Sequence, residues 1–252
     1  MQSLSETQRK DRITELTGFF LSLVIAVAFG WSLPDLVWSM WLSSLTVGFA
    51  YIVYSIYSAT SPITNKVGRA CAVIFPTLFF MFHFGGFHYG HAVFLNMFLT
   101  PGSPMDINGN WEMISNGDGS VSFANKDASD TPDEDFMFPD FIGIFKSYFW
   151  ILPIAFLSNI SLFRRPELGP AVAYKNVIKL HLLIFIFAGM AAAHLNLFII
   201  YLFTYAWFFF PLSVFLPKKI SDTFNKKQSK TFAAAIKNYQ EKYQTQEQNK
   251  EK

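Results

Sequence analysis

The chain reads as an all-α integral membrane bundle of six transmembrane helices. Three observations predict it: long, almost uncharged apolar stretches, connections whose charge differs by side, and a composition too apolar for an aqueous domain. The stretches are Ile13 to Ser32, Leu36 to Ala59, Ala70 to Leu99, Phe141 to Ser161 and Val177 to Leu216. A run of about 20 apolar residues crosses a bilayer, so the last, roughly twice that length, reads as two helices turning near Asn196. At 52% hydrophobic, 18% aromatic and only 15% charged, the chain has more apolar surface than a soluble fold of this size buries, and lipid supplies the missing partner.

Orientation follows from the connections. Arg9, Lys10 and Arg12 precede the first span, Lys66 and Arg69 join the second to the third, Arg164, Arg165 and Lys175 join the fourth to the fifth, and Lys218 and Lys219 follow the sixth. With six spans all of these share one side, which the positive-inside rule makes cytoplasmic, so both termini are expected there. The turn Leu33-Pro34-Asp35, the loop 100–140 and the turn at Asn196 then face outward. That loop carries Asp106, Glu112, Asp118, Asp127, Asp130, Asp133, Glu134, Asp135 and Asp140 against Lys126 alone, in agreement with the basic side. The expected organisation is a transmembrane domain over 1–217, with 100–140 an acidic extracytoplasmic loop, and a cytoplasmic tail over 218–252. The first span lacks a small-residue cleavage site and runs directly into a second, so it reads as an anchor.

Turn signals at Asn108-Gly109, Asn116-Gly117 and Asp118-Gly119, flanked by Trp111, Met113, Ile114, Val121 and Phe123, allow the outer loop to form a small hairpin cap. The acids from Asp127 to Asp135 do not follow the spacing of a twelve-residue calcium loop. In the tail, Phe232, Ile236, Tyr239 and Tyr243 recur at helical spacing and predict a short amphipathic helix, with a disordered end beyond Tyr243. The single cysteine, Cys71, excludes an intrachain disulfide and a cysteine metal cage. A net charge of +2 gives no sign of a nucleic-acid partner.

All 5 histidines fall in the apolar stretches: His83, His88 and His91 on the third, His181 and His194 on the last. A polar ring facing lipid costs of the order of one to several kcal/mol, so the imidazoles are expected to face the bundle interior. His88 and His91, three apart, can share an ion, whereas His83 and His91 lie about 12 Å apart along a helix axis. Counting depth from the inner ends places His88, His91 and His194 in the outer half, a candidate trio for zinc, copper or iron. The third, fifth and sixth spans hold no acid, so the rings would be oriented by backbone carbonyls or by Tyr89, Asn96, Tyr201 or Tyr205. His181 and His194 are spaced like the haem-bearing helices of membrane cytochromes b, but His83 and His91 do not reproduce that spacing. The alternative is that the histidines hydrogen-bond across helix interfaces, with Gly85, Gly86 and Gly90 allowing close approach.

Motifs for other enzymes are missing: no His-Glu-x-x-His, no Gly-x-Ser-x-Gly and no phosphate loop. Ser43 or Ser44 could serve a distant histidine in an intramembrane protease, though neither sits in a nucleophile motif. Pro76, Pro153 and the glycine cluster would suit the broken helices of a small-solute transporter, yet the spans show no internal repeat.

Gly30-Trp31, Trp41-Leu42, His83-x-Gly85-x-Phe87 followed by His91 and Phe94, and Leu180-His181 together resemble an uncharacterised family of bacterial multi-pass membrane proteins, known only as a domain of unknown function. The resemblance covers most of the membrane part, not the outer loop or tail. Ser43-Ser44 stand where that family has Glu-Asn, and Ala92 where glycine is usual. It implies a bacterial inner membrane and points to His83, His91 and His181 rather than the outer trio, without supplying an activity.

The function expected is therefore a histidine-lined intramembrane site for a transition metal or haem, drawn from His83, His88, His91, His181 and His194. A membrane scaffold or assembly protein with a protein partner or a second copy is the alternative, and a small-solute transporter the weaker one.

Overall fold

The computed structural model describes residues 6–99, 111–115, 121–125, 138–192 and 197–209, together with tail positions 230–232, 234, 237, 238 and 241. In chain order these form α1 (Glu6–Ala28), α2 (Leu33–Ala59), α3 (Lys66–Leu99), β1 (Trp111–Ser115), β2 (Val121–Asn125), α4 (Phe141–Tyr148), α5 (Leu152–Ser158), α6 (Ile160–Phe163), α7 (Tyr174–Ala192) and α8 (Leu197–Phe209). Short 3-10 turns at Phe149–Ile151, Pro166–Leu168 and Pro170–Ala173 link α4 to α5 and α6 to α7. In the outer loop, where the turn signals allow a small hairpin cap, β1 and β2 pair antiparallel with Trp111 opposite Asn125 and Ser115 opposite Val121. Everything else described is helical or connecting.

Three segments, α2, α3 and Phe141–Ser158, are long and apolar enough to cross a membrane. Among the described residues α1 and α8 fall short of that. Asp11, Arg12 and Glu15 leave α1 an uncharged stretch shorter than a crossing, and α8 has 13 described residues. The turn expected near Asn196 and the polar end beyond Tyr243 lie outside the described residues, as do the acids from Asp127 to Asp135.

At the centre is α2. Of its most apolar stretch 72% is buried, against 11% for α3, so α3 packs by one face only. Ser32 starts α2 as a capping box: its hydroxyl accepts from the Asp35 amide while the Asp35 carboxylate accepts from the Ser32 amide, and Pro34 occupies the first turn where no amide is needed. One core gathers Leu36, Val37, Met40 and Trp41 of α2 with Ala92 and Leu95 of α3, Leu180 and Leu183 of α7 and Tyr205 of α8. A second, farther along α2, joins Tyr51, Ile52 and Ile56 to Phe84 and Val177.

Contact order fixes the helix directions. A Cβ built on Gly48 would meet Phe84, and Ser44 meets His88, so α3 runs antiparallel to α2. The Tyr174 ring meets Phe84 and the His181 ring meets His91, an equal advance on both helices, so α7 runs parallel to α3. Ser158 packs on Gly18, Ser161 donates to Glu15 at 2.6 Å, and Arg164 pairs with Asp11, so α5 and α6 descend antiparallel to α1. The bundle thus has a turn end, at Ser32 and Asp35, and a clamp end, at Asp11 and Arg164.

The predicted fourth span is not one straight helix. Phe141 meets Trp41 and Tyr89, Tyr148 donates to Asp35 at 2.7 Å, and Trp150 meets Phe29 and Trp31. By that order α4 climbs toward the turn end, opposite to α2, before α5 descends. The reversal is placed at Tyr148, whose φ of −122° and ψ of 2° leave the helical region, and Pro153 restarts the helix in the first turn of α5. Apolar composition is blind to such a corner.

Candidate intramembrane histidine site

Two of the expected histidines meet across helices. His91 Nε2 of α3 lies 3.0 Å from His181 Nδ1 of α7, with ring centroids 5.3 Å apart. The parallel register of α3 and α7 brings them level, and Ala92 and Leu180, both fully buried beside them, bring the helices close. His91 is 3% exposed, and its Nδ1 is buried without a hydrogen-bond partner. His181 is exposed on its other side and packs edge-on to Phe185. Two nitrogens held by one ion at ~2.0 to 2.1 Å are about 3 to 3.4 Å apart for bond angles near 90° to 110°, so the pair suits neighbouring ligands of one ion. The same separation is too short for the two axial positions of a haem, about 4 Å apart across the iron.

His88 does something else. Its Nδ1 lies 3.1 Å from the Phe84 carbonyl, which only accepts, so that nitrogen carries the proton. Nε2 is then an acceptor, and the Ser44 hydroxyl, 3.1 Å away, donates to it. Both ring nitrogens are used, and the ring, 0% exposed, is walled by Trp41, whose Nε1 donates to the His88 carbonyl at 2.8 Å. Of the outer trio, His88 is turned to Ser44 with its ring centroid 6.3 Å from that of His91, and His194 lies outside the described residues. Ser44 gave a weak sequence signal as one of two serines in an apolar helix, and only the pairing of α2 with α3 reveals its partner.

His83 is exposed and sits among aromatic rings, stacked on Phe87 at 5.1 Å and edge-on to Phe79 and Tyr174. It does not join the pair. Of the three histidines singled out by the family resemblance, two meet and the third lies about two turns away along α3.

The glycines expected to let helices approach do not do so. A Cβ on Gly85, Gly86 or Gly90 would meet nothing within 4 Å, whereas Gly48 admits Phe84 and Gly18 admits Ser158 at distances no side chain tolerates. Tyr205, one of the residues expected to orient an imidazole, donates to the Phe19 carbonyl at 2.8 Å. Among the described residues no group of three or more histidine, cysteine or acidic side chains converges on one point.

Beside His88 a cavity of about 320 Å³ opens between α2, α3 and α4, with Trp41, Leu45, Gly85, Tyr89 and Phe145 in its wall. At the clamp end Asp11, 4% exposed, holds both Arg164 and Arg165, and Tyr51 donates to the Arg165 carbonyl at 2.9 Å. Described tail positions 230–232, 234, 237, 238 and 241 are helical, and Phe232 lies over Gly169, where φ is +78° and no side chain would fit beneath the ring.

Residues 15–126 match a family described as a family of unknown function (DUF6498). The match takes in the later part of α1 and all of α2, α3, β1 and β2, hence Ser44, His83, His88 and His91, and stops short of His181. No curated protein and no solved structure matches the chain.

Proposed function

We propose that this is a six-span protein of a bacterial inner membrane, both termini cytoplasmic, that holds a transition metal ion between α3 and α7 through His91 and His181. One observation carries the reading: ring nitrogens from two helices converge at 3.0 Å inside an apolar bundle, with the outer side of His181 left open. Two neutral imidazoles suit a borderline metal such as zinc, copper or iron, and His194 on the same apolar stretch as His181 is a further nitrogen the ion could recruit. The alternation of helix directions supports the threading, because α1 and α3 run one way and α2 and α5 the other. The basic residues Arg9, Lys66, Arg69, Arg164 and Lys175 then share the clamp end, which the positive-inside rule makes cytoplasmic.

A second reading is favoured by the unpartnered Nδ1 of His91. A ligating histidine ordinarily donates its other nitrogen to a carbonyl or carboxylate, and this one meets neither. In that reading the pair is a hydrogen bond between His91 Nε2 and His181 Nδ1 that joins α3 to α7 in a membrane scaffold. Elemental analysis of protein purified in detergent separates the two. The metal reading expects stoichiometric zinc, copper or iron in the wild type, loss of it in His91→Ala and His181→Ala, and retention in His83→Ala. No metal in any preparation, with a chelator leaving the melting midpoint unchanged, overturns it in favour of the scaffold.

A further inference from the structure

The cavity between α2, α3 and α4 is separate from the histidine pair, and its walls specify an occupant. Trp41 lies about 12 Å along α2 from Leu33 at ~1.5 Å per residue, so the cavity sits at the depth of lipid chains if the bundle spans a bilayer. Its wall is apolar save for groups already engaged: Trp41 Nε1 is bound to the His88 carbonyl, and both His88 nitrogens are taken. Among the described residues of the wall, the Tyr89 hydroxyl alone is uncommitted. A resident water needs two to four polar partners, so water does not fill the space.

Gly85 makes the cavity, since a side chain there would project into space with nothing within 4 Å. Phe145, 51% exposed, stands at its mouth, where α4 leaves the cavity and climbs to the turn end. One residue on is Lys146, exposed, without an ion-pair partner among the described residues, and placed closer to the turn end than any other described lysine or arginine. An apolar slot with an exposed cation one residue beyond its wall, toward the turn end, matches an amphiphile with an anionic head and a hydrocarbon chain.

We infer that this cavity seats one acyl chain of a membrane phospholipid, with the lipid phosphate held at Lys146. Native mass spectrometry of the full chain after extended detergent washing tests it. The wild type is expected to retain one phospholipid. Gly85→Phe fills the slot and should lower occupancy at least fivefold, Lys146→Met should lower it severalfold, and Gly86→Phe, at a position outside the cavity wall, should retain it. Equal retention in Gly85→Phe and Gly86→Phe, or a retained molecule that is not a phospholipid, overturns the inference. Should Gly85→Phe fail to fold, a phosphatidylglycerol carrying a photoreactive group in its chain decides on the wild type. Labelling concentrated on Phe141–Tyr148 upholds the site, and labelling spread evenly over Ile74–Met81 of the exposed α3 face overturns it.

Discussion

Ser44 of α2 donates its hydroxyl hydrogen to Nε2 of His88 on α3, and the Phe84 carbonyl fixes the tautomer that makes this possible. Ser43, the neighbouring residue, has a buried hydroxyl with no hydrogen-bond partner among the described residues. The two serines should therefore respond oppositely to alanine. Ser44→Ala strands a buried imidazole nitrogen and is expected to cost about 1 to 3 kcal/mol, read as a lower melting midpoint in detergent. Ser43→Ala removes an unsatisfied atom and should leave the midpoint unchanged or raise it. Equal losses in both would show that Ser44 acts by packing alone.

Glycine substitution should sort the helix interfaces in the same way. At Gly48 an added Cβ would collide with the tip of the Phe84 ring, so Gly48→Ala forces α2 and α3 apart. We expect a loss of about 1 to 3 kcal/mol, as for other overpacked cores. At Gly86 the added methyl meets nothing, and Gly86→Ala gains about 0.5 to 1 kcal/mol from helix propensity. Thermal unfolding of both variants in one detergent is the check, and destabilisation by Gly86→Ala would mean that another surface covers this face.

Asp11 supplies the third test. Its buried carboxylate gathers Arg164 and Arg165, whose side chains are 48% and 38% exposed, so solvent screens the pair and its contribution is well below that of a buried bridge. Asp11→Asn should lower stability by roughly 1 to 2 kcal/mol, since it leaves two cations without their shared anion. Salt should weaken the wild type at its clamp end and spare the variant. A variant midpoint that falls with added salt as steeply as the wild type's would place the stabilisation elsewhere.

What the sequence made legible was what periodicity and composition encode. Uncharged length located α2 and α3, and turn residues between apolar pairs located the hairpin. The meeting of His91 with His181 was within reach of the family resemblance but not of depth counting, which brought His194 in and left His181 near the inner side. Depth counting failed because it took both ends of the last stretch at face value, whereas α7 begins at Tyr174, level with Phe84, and that offset makes His181 level with His91. The corner at Tyr148 was illegible for a different reason. One residue outside the helical region reverses the chain without any change in hydropathy, and the Pro153 that follows reads equally well as a kink within a straight span. Ser44 was hidden because a lone hydroxyl gains its role only from the residue opposite, and that pairing is set by the fit of Gly48 to Phe84, one turn below.

The threading itself can be tested with the native cysteine replaced by serine and single cysteines placed in the connections. Asn65, whose side chain caps the start of α3 at the clamp end, and Lys126, in the acidic loop beyond the turn end, should lie on opposite faces of the membrane. A membrane-impermeant maleimide added to intact cells is expected to label Lys126→Cys and not Asn65→Cys. A cysteine at Lys252 should behave like Asn65→Cys if α7 and α8 complete two further crossings, because the tail then returns to the clamp end. Labelling of Lys252→Cys together with Lys126→Cys would mean that α7 and α8 supply one crossing rather than two. His91 and His181 would still meet, but the tail would leave the membrane on the face opposite to Asp11, and the packing of Phe232 over Gly169 would have to be abandoned with it.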